Sequence, residues 1–290
     1  EAMNALNEVT VDQLEEAFIQ AEKDPQVSCI VFRGAGKAFV AGADIRFFIQ
    51  NIQNGRIDRN VEFTKKGHDL LLRIENSAKR TVAVLDGLSL GGGSEFALAC
   101  QAIVATPAGS MGFPETAIGI YPGLGGMIRT SRQIGPELAK YYVFTGKPIS
   151  AKDAYELGLV TKLVDPQELD QAIQTVCAEE KPDKYGSRSI PDRFQEPAKA
   201  CSDQNVQALL EGKKPEGVSE GLAESTLKAV SKKAPLAVKK ANELIDKQQD
   251  VSIPEAVELE LAELDYMFST EDALIGLKSV GKKPPQYKGK

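Results

Sequence analysis

The sequence predicts an α/β fold in which parallel strands alternate with helices. Short apolar runs without polar alternation, residues 27–32 (Val-Ser-Cys-Ile-Val-Phe) and 81–85 (Thr-Val-Ala-Val-Leu), read as strands buried on both faces. Helical stretches separate these runs, and strands joined through helical crossovers pair in parallel. Length agrees: 290 residues, 42% of them apolar, hold one large domain or two small ones at ~100–200 residues each, with ample material for a core.

The elements follow in order. Thr10 with Gln13 reads as a helix start of capping-box type, and Val11, Leu14 and Phe18 then share one helical face. The strand at 27–32 ends at Gly34. Residues 34–43 form a glycine-rich loop leading into a helix from Asp44, and a second helix spans 58–76. After the strand at 81–85 come a loop at 88–93, a helix from Ser94 and a strand at 102–106. A strand at 159–164 closes a core expected to occupy residues 1–180. Composition shifts at 181, where Pro182, Pro191, Pro197 and Pro215 stand among many charges and few large apolar groups. Residues 181–225 therefore read as a charged, partly ordered insertion. Helical period returns over 226–290. Val257, Leu261, Leu264 and Phe268 form an apolar stripe that must be covered, by this chain's own core or by a neighbouring subunit. No repeat of solenoid period occurs.

Charge and composition exclude several classes. Lys plus Arg number 35 against 41 Asp plus Glu, giving a formal net charge of −6, far from the basic face that neutralises nucleic-acid phosphates. No apolar run approaches the ~20 residues that span a bilayer. Cys29, Cys100, Cys177 and Cys201 form no Cys-x-x-Cys pair, so neither a zinc knuckle nor a disulfide scaffold is indicated. The single histidine, His68, excludes metal sites built on two or more histidines and is expected to be a packing or surface residue. The chain opens Glu1-Ala2-Met3, which reads as a processed or cut terminus, so the lack of a leader says little about compartment.

Five features bear on chemistry. Gly87-Leu88-Ser89-Leu90-Gly91 matches a G-x-S-x-G nucleophile elbow, but that architecture needs a histidine after the serine, and His68 precedes it. Gly91-Gly92-Gly93 opens a helix. Unpaired N–H groups at the positive end of its dipole suit a phosphate or a developing oxyanion, and a close strand-helix packing turn explains the glycines equally well. Glu95 and Glu115 each sit inside a small apolar segment, which is costly for a charge unless it is paired or functional. Two such acids meeting across a cavity would have their pKa values pushed apart and could divide acid and base roles; a helix-terminal acid favoured by the dipole is the simpler reading of either alone. Gly123-Leu124-Gly125-Gly126 is a weak candidate for an anion-facing turn, and the basic tail from Gly281 is either a solvated terminus or a contact for a phosphate-bearing ligand.

As an ordered set, several segments resemble the crotonase (enoyl-CoA hydratase/isomerase) superfamily. They are Lys37-Ala38-Phe39-Val40-Ala41-Gly42-Ala43-Asp44-Ile45, Gly91-Gly92-Gly93-Ser94-Glu95, Phe113-Pro114-Glu115 and Gly119-Ile120-Tyr121-Pro122-Gly123-Leu124-Gly125-Gly126. Residues 145–154 and Gly158-Leu159-Val160 extend the match, which runs from Asn4-Ala5-Leu6 to about residue 180 and resumes in the C-terminal helical segment. The resemblance implies the crotonase (ClpP/crotonase) fold, a spiral of ββα turns whose C-terminal helices close the active site and build trimers, commonly paired into hexamers.

It also implies an acyl-CoA thioester substrate, with coenzyme A belonging to that substrate, and neither a separate cofactor nor a metal. By position, the N–H groups of Ala43 and Gly92 would form an oxyanion hole and Gly123 would help hold a water. Glu95 would act as base on that water, and Glu115 would deliver a proton to C2. Lys37, Ala38, Ala41, Asp44, Ile45, Leu90, Pro114, Phe268 and Lys282 are the positions expected to contact the CoA thioester. The implied reaction is reversible syn hydration of 2-enoyl-CoA, as in fatty-acid β-oxidation. Isomerases of the family work with the single carboxylate matching Glu115, so two glutamates favour hydration over an isomerase or a silent assembly module. Two departures stand out. The strands expected before Asn4 are missing, which fits a fragment or the hydratase part of a fusion with 3-hydroxyacyl-CoA dehydrogenase, and 181–220 is longer than in compact members. A cytoplasmic location is expected, with an organellar matrix as the alternative.

Overall fold

A computed structural model describes residues 3–181, 184–186 and 189–290; Glu1, Ala2 and Pro182 of the stretches discussed above lie outside it. The chain enters through α1 (Glu8–Lys23). Its N-cap is Asn7 rather than Thr10, because the Asn7 side chain accepts from Thr10 N at 2.8 Å. Val11 and Phe18 are buried from its inner face, and Leu14 packs beside them.

Three ββα turns follow. β1 (Cys29–Arg33) and β2 (Ala38–Ala41) lead to α2 (Ile45–Gln53) and α3 (Ile57–Asn76). β3 (Arg80–Leu85) and β4 (Leu88–Leu90) lead to α4 (Gly92–Ala99). β5 (Ala102–Ala105) and β6 (Ser110–Met111) lead through a 3-10 turn at Glu115–Ile118 to α5 (Gly126–Ile134) and α6 (Pro136–Thr145). Next come β7 (Ile149–Ser150), α7 (Ala151–Glu156), β8 (Lys162–Leu163) and α8 (Leu169–Ala178). Each turn delivers one strand to each of two sheets: β1-β3-β5-β8, all parallel, and β2-β4-β6-β7, antiparallel only at its last pair. This is the spiral that the resemblance implies.

β3 shows why its sequence lacks alternation. Ala83 and Leu85 join the main core, whereas Val82 and Val84 pack with Leu169, Ala172 and Val176 of α8 on the other face. β2 and β4 lie inside stretches read from sequence as loops. They are only four and three residues long and glycine-flanked, too short for a period to register. The strand expected at 159–164 shrinks to β8, because the N–H groups of Leu159 and Val160 both turn back to Ala154 O after α7.

The proline-bearing stretch departs most from its reading. It carries α9 (Asp192–Ala200) and α10 (Asp203–Leu210), followed by α11 (Glu220–Val230), and α9 packs along α6. Phe194, Ala198, Val206 and Leu209 are buried, so a few well-spaced apolar residues suffice where composition pointed to irregular chain. α12 (Pro235–Lys247), α13 (Ile253–Ala262), α14 (Leu264–Ser269) and α15 (Glu271–Leu277) complete the chain. Within the apolar stripe, Val257, Leu264 and Phe268 are buried within this chain, as α13 and α14 lie against α3. The helix breaks at Glu263, so the stripe is shared by two helices.

A disulfide between Cys29 and Cys177 ties β1 to α8, although the cysteine spacing indicated no disulfide scaffold; a separation of 148 residues hid the partnership. Cys100 and Cys201 are buried thiols. Among the described residues no helix is long and apolar enough to cross a membrane. The docking of α9 makes a prediction: Phe194→Ala should lower unfolding stability by about 3 kcal/mol, as large-to-small changes in a filled core do. An unchanged urea midpoint would show that α9 does not belong to the core.

Candidate active site

The glycine triplet divides its labour. Gly91 has φ +50°, and a Cβ there would collide with the Glu115 carboxylate, so only glycine fits between β4 and α4. A Cβ on Gly93 would strike the Val40 carbonyl, which is the packing role. Gly92, the first residue of α4, has no i−4 acceptor within the helix and borders a cavity. A Cβ on Gly92 would lie 4.0 Å from Ala43 N. The bridge from Leu6 to Ala43 uses Gly42 O and Asp44 N, which leaves the Ala43 N–H out of that ladder. Ala43 and Gly92, from separate turns of the spiral, therefore border the same cavity.

Glu95 lies one turn into α4, and Glu115 opens the 3-10 turn beyond β6. Both are buried and both line a cavity of about 280 Å³ whose walls are mostly apolar. Glu95 Oε1 accepts from Leu124 N at 2.7 Å and from Gly126 N at 2.8 Å. Burial pushes its pKa up to about 7, against the pull of those two N–H groups, which favour the carboxylate. Glu115 has fewer supports, since its Oε2 has no hydrogen-bond partner among the described residues. Burial, then the charge of Glu95, then that of Glu260 drive its pKa well above the ordinary carboxyl range. The environments thus separate two like acids into one that ionises and one that keeps its proton.

A third buried carboxylate was not foreseen. Glu260 of α13 accepts from Gly125 N at 2.8 Å through Oε1 and from Gln248 Nε2 at 3.2 Å through Oε2. Burial and the Glu95 charge raise its pKa to about 8. Its sequence signal was an acid set into an apolar stripe, three residues after Val257 and four before Leu264. His68 lies fully buried behind the same turn, its Nε2 3.7 Å from Glu260 Oε1. Burial lowers its pKa to about 3, so the imidazole is neutral and packs. The anion-facing turn at 123–126 does bind anions, but they are the protein's own carboxylates. Ser89 is buried in β4, and among the described residues its Oγ has no hydrogen-bond partner, so the nucleophile-elbow match carries no base beside it.

Of the expected contact positions, Ala41, Ile45, Leu90, Pro114 and Phe268 line the cavity together with Ala43, Gly92, Glu95, Glu115 and Gly123. Lys37, Ala38, Asp44 and Lys282 do not. Ala38 is buried in β2, and Lys37 and Lys282 are exposed. Asp44 caps α2 and is held below the usual carboxylate range by its bond to Arg46. Phe48, Phe63, Tyr121, Leu264 and Met267 form wall that was not foreseen, and Val280 reaches the cavity from the tail.

A family model described as enoyl-CoA hydratase/isomerase matches residues 1–288. The chain belongs to that family. It is 39% identical over 177 residues to a crotonyl-CoA hydratase of Syntrophomonas wolfei, covering 61% of this chain and 66% of that protein. It is also 39% identical over 170 residues to a short-chain-enoyl-CoA hydratase of Clostridium acetobutylicum, covering 58% and 63%. Each match thus spans just under two thirds of the relative's own length. Among solved structures, an enoyl-CoA hydratase from Rhodobacter sphaeroides superposes with a TM-score of 0.84 at 23% identity, over 99% of this chain and 87% of that one. A carnitinyl-CoA dehydratase from Mycobacterium thermoresistibile gives 0.83 at 21% identity, over 99% and 85%. At those identities the two structures establish the shared fold.

The titration of the three buried acids has a sign. Each has a folded pKa raised above its ordinary value, so the stability it supports is complete below the unfolded pKa and is lost as pH rises through the folded one. Glu95→Gln should therefore lose less stability between pH 5 and pH 8 than the unmodified chain does in urea unfolding. An equal or larger loss would place the Glu95 carboxyl in water.

Proposed function

We propose that this chain catalyses reversible hydration of the C2=C3 bond of 2-enoyl-CoA thioesters. The observation that carries the reading is the pair of buried glutamates, both raised but unequally, on one cavity beside the N–H groups of Gly92 and Ala43. Its apolar walls suit an acyl chain, and the two N–H groups suit the thioester oxygen, on which charge develops in the transition state. The relatives named for crotonyl-CoA and short-chain enoyl-CoA support a short acyl group as substrate.

The chemistry follows from protonation states. Water held near Gly123 attacks C3 and gives its proton to the Glu95 carboxylate. The π electrons of C2=C3 move toward the thioester oxygen, and the enolate is held by Ala43 and Gly92 N–H, each worth about 3 kcal/mol in comparable oxyanion sites. As the enolate collapses, C2 takes the proton of Glu115. Transfer of the proton from Glu95 to Glu115 restores the starting state, and the net change is one water added. Isomerisation would need only the acid at Glu115. The two N–H bonds that keep Glu95 ionisable favour hydration.

Coenzyme A enters as part of the substrate. Lys37, Ala38, Asp44 and Lys282 are assigned to its nucleotide end, which is too polar for the apolar cavity. We further propose assembly as a homotrimer or a dimer of trimers through the C-terminal helices, a cytoplasmic setting, and fusion to or association with a 3-hydroxyacyl-CoA dehydrogenase. Chromatographic sizing tests the first of these, and a strict monomer would exclude it.

The decisive experiment follows loss of enone absorbance with crotonyl-CoA. Glu95→Gln and Glu115→Gln should each slow hydration by at least about 100-fold. The wild-type rate should fall as pH drops below about 7, where Glu95 takes up a proton and ceases to be a base. A wild-type chain inert toward short and long enoyl-CoA would end the hydratase reading, and full activity in Glu95→Gln would end its assignment as base.

A further inference from the structure

The turn at Gly123–Gly126 is gripped from three sides. Glu95 holds its Leu124 and Gly126 N–H groups from α4. Glu260 holds the intervening Gly125 N–H from α13. The fully buried Arg129 reaches back to the carbonyls of Leu124 and Gly125 at 3.3 and 3.4 Å, and is itself paired with Glu75 at 2.8 Å. Gly125 has φ +84°, and a Cβ there would collide with that guanidinium, so the position requires glycine. The Tyr121 hydroxyl donates to the Glu260 carbonyl at 2.7 Å, which ties α13 to the same loop a second time. Glu260 does not border the cavity, so it cannot touch substrate directly.

We propose that Glu260 is a positioning residue for hydration: by clamping Gly125 from behind, it fixes the turn that aims the Glu95 carboxylate and sets Gly123 on the cavity wall. The kinetic part of this proposal rests on the hydratase reading; the clamp itself does not. Several groups face Glu260 from the surrounding elements. They are Glu95 on α4, Glu115 on the 3-10 turn, His68 on α3, Tyr121 on the loop, Arg129 (itself paired with Glu75) on α5 and Gln248 beyond α12. Above its pKa of about 8, Glu260 adds a negative charge that opposes ionisation of Glu115, and so keeps the acid protonated to higher pH.

Substitutions at Glu260 and two measurements test the clamp. In Glu260→Ala, hydrogen exchange in the peptide covering residues 121–127 of the intact chain should rise at least about tenfold, while α6 and α12 keep their protection. Hydration of crotonyl-CoA should slow about 10- to 100-fold in kcat with little change in KM, the cost of a misplaced catalytic group. Glu260→Gln retains an oxygen for Gly125 N–H, so its exchange and most of its kcat should return. Its alkaline limb should move to lower pH, because the charge opposing Glu115 ionisation is gone. Unchanged exchange in a folded Glu260→Ala chain overturns the proposal. If that variant does not fold, Glu260→Met, which keeps the side chain's bulk but offers no oxygen to Gly125 N–H, decides instead, and wild-type exchange over 121–127 in it overturns the proposal. If the wild-type chain hydrates nothing, the hydratase reading falls while the exchange measurement still decides the clamp.

Discussion

Everything at this site depends on the carboxylate of Glu95 accepting two backbone N–H groups from the turn that begins α5. A buried charge is costly unless its hydrogen bonds are made. Here a single oxygen receives Leu124 N and Gly126 N, charge-assisted bonds stronger than neutral ones. The same two bonds lock α4, which follows β4 in the second turn of the spiral, to α5, which follows the third. Fold and chemistry therefore share one interaction: the bonds that join two turns of the spiral also keep Glu95 able to lose its proton. Glu115, lacking equal support and facing that charge, keeps its own.

What the sequence revealed and what it hid divide along the range of the contacts. α3, β3 and β5 were legible because their apolar pattern is local and unbroken, and α2 because Asp44 caps it with its own side chain. Glu95 and Glu115 were legible as anomalies, since an acid inside an apolar segment stands out without any partner in view. Their meeting was not legible. It depends on β4 and β6 pairing in register and on the left-handed Gly91, which leaves room for the Glu115 carboxylate. Cys29 and Cys177, and Glu260 with Gly125, were hidden for the same reason: nothing local records which distant element will arrive beside them.

The proline-bearing stretch teaches a related lesson about composition. Its charges and prolines are real, and Pro197 even lies inside α9, yet Phe194 and Ala198 anchor α9 and Val206 and Leu209 anchor α10. Spacing outweighs abundance, because a short helix needs only one covered face. Lys140 shows the other half of the bargain: it is buried on α6, and its ammonium is neutralised by Asp203 of α10 and Asp246 of α12. Residues that look solvated in sequence are here the partners of a buried cation.

The polarity around the 123–126 turn explains how several ionisable groups share the buried layer behind the cavity. N–H groups of the turn point to Glu95 and Glu260, its carbonyls to Arg129, and Arg129 to Glu75, so charge alternates through the buried layer behind the cavity. Alternation lets several ionisable groups share a dry interior, where each would be unaffordable alone. Dryness in turn strengthens the field of every fixed dipole that faces the cavity. Leu264, Met267 and Phe268 of α14 supply that dryness from one side of the wall, and Glu260 of the preceding helix supplies one pole of the alternation. The C-terminal helices therefore act on the site twice, by supplying apolar wall and by holding the backbone that binds the Glu95 carboxylate. His68, buried on α3 beside Glu260, stays neutral because burial, and then the charge of Arg129, lowers its pKa.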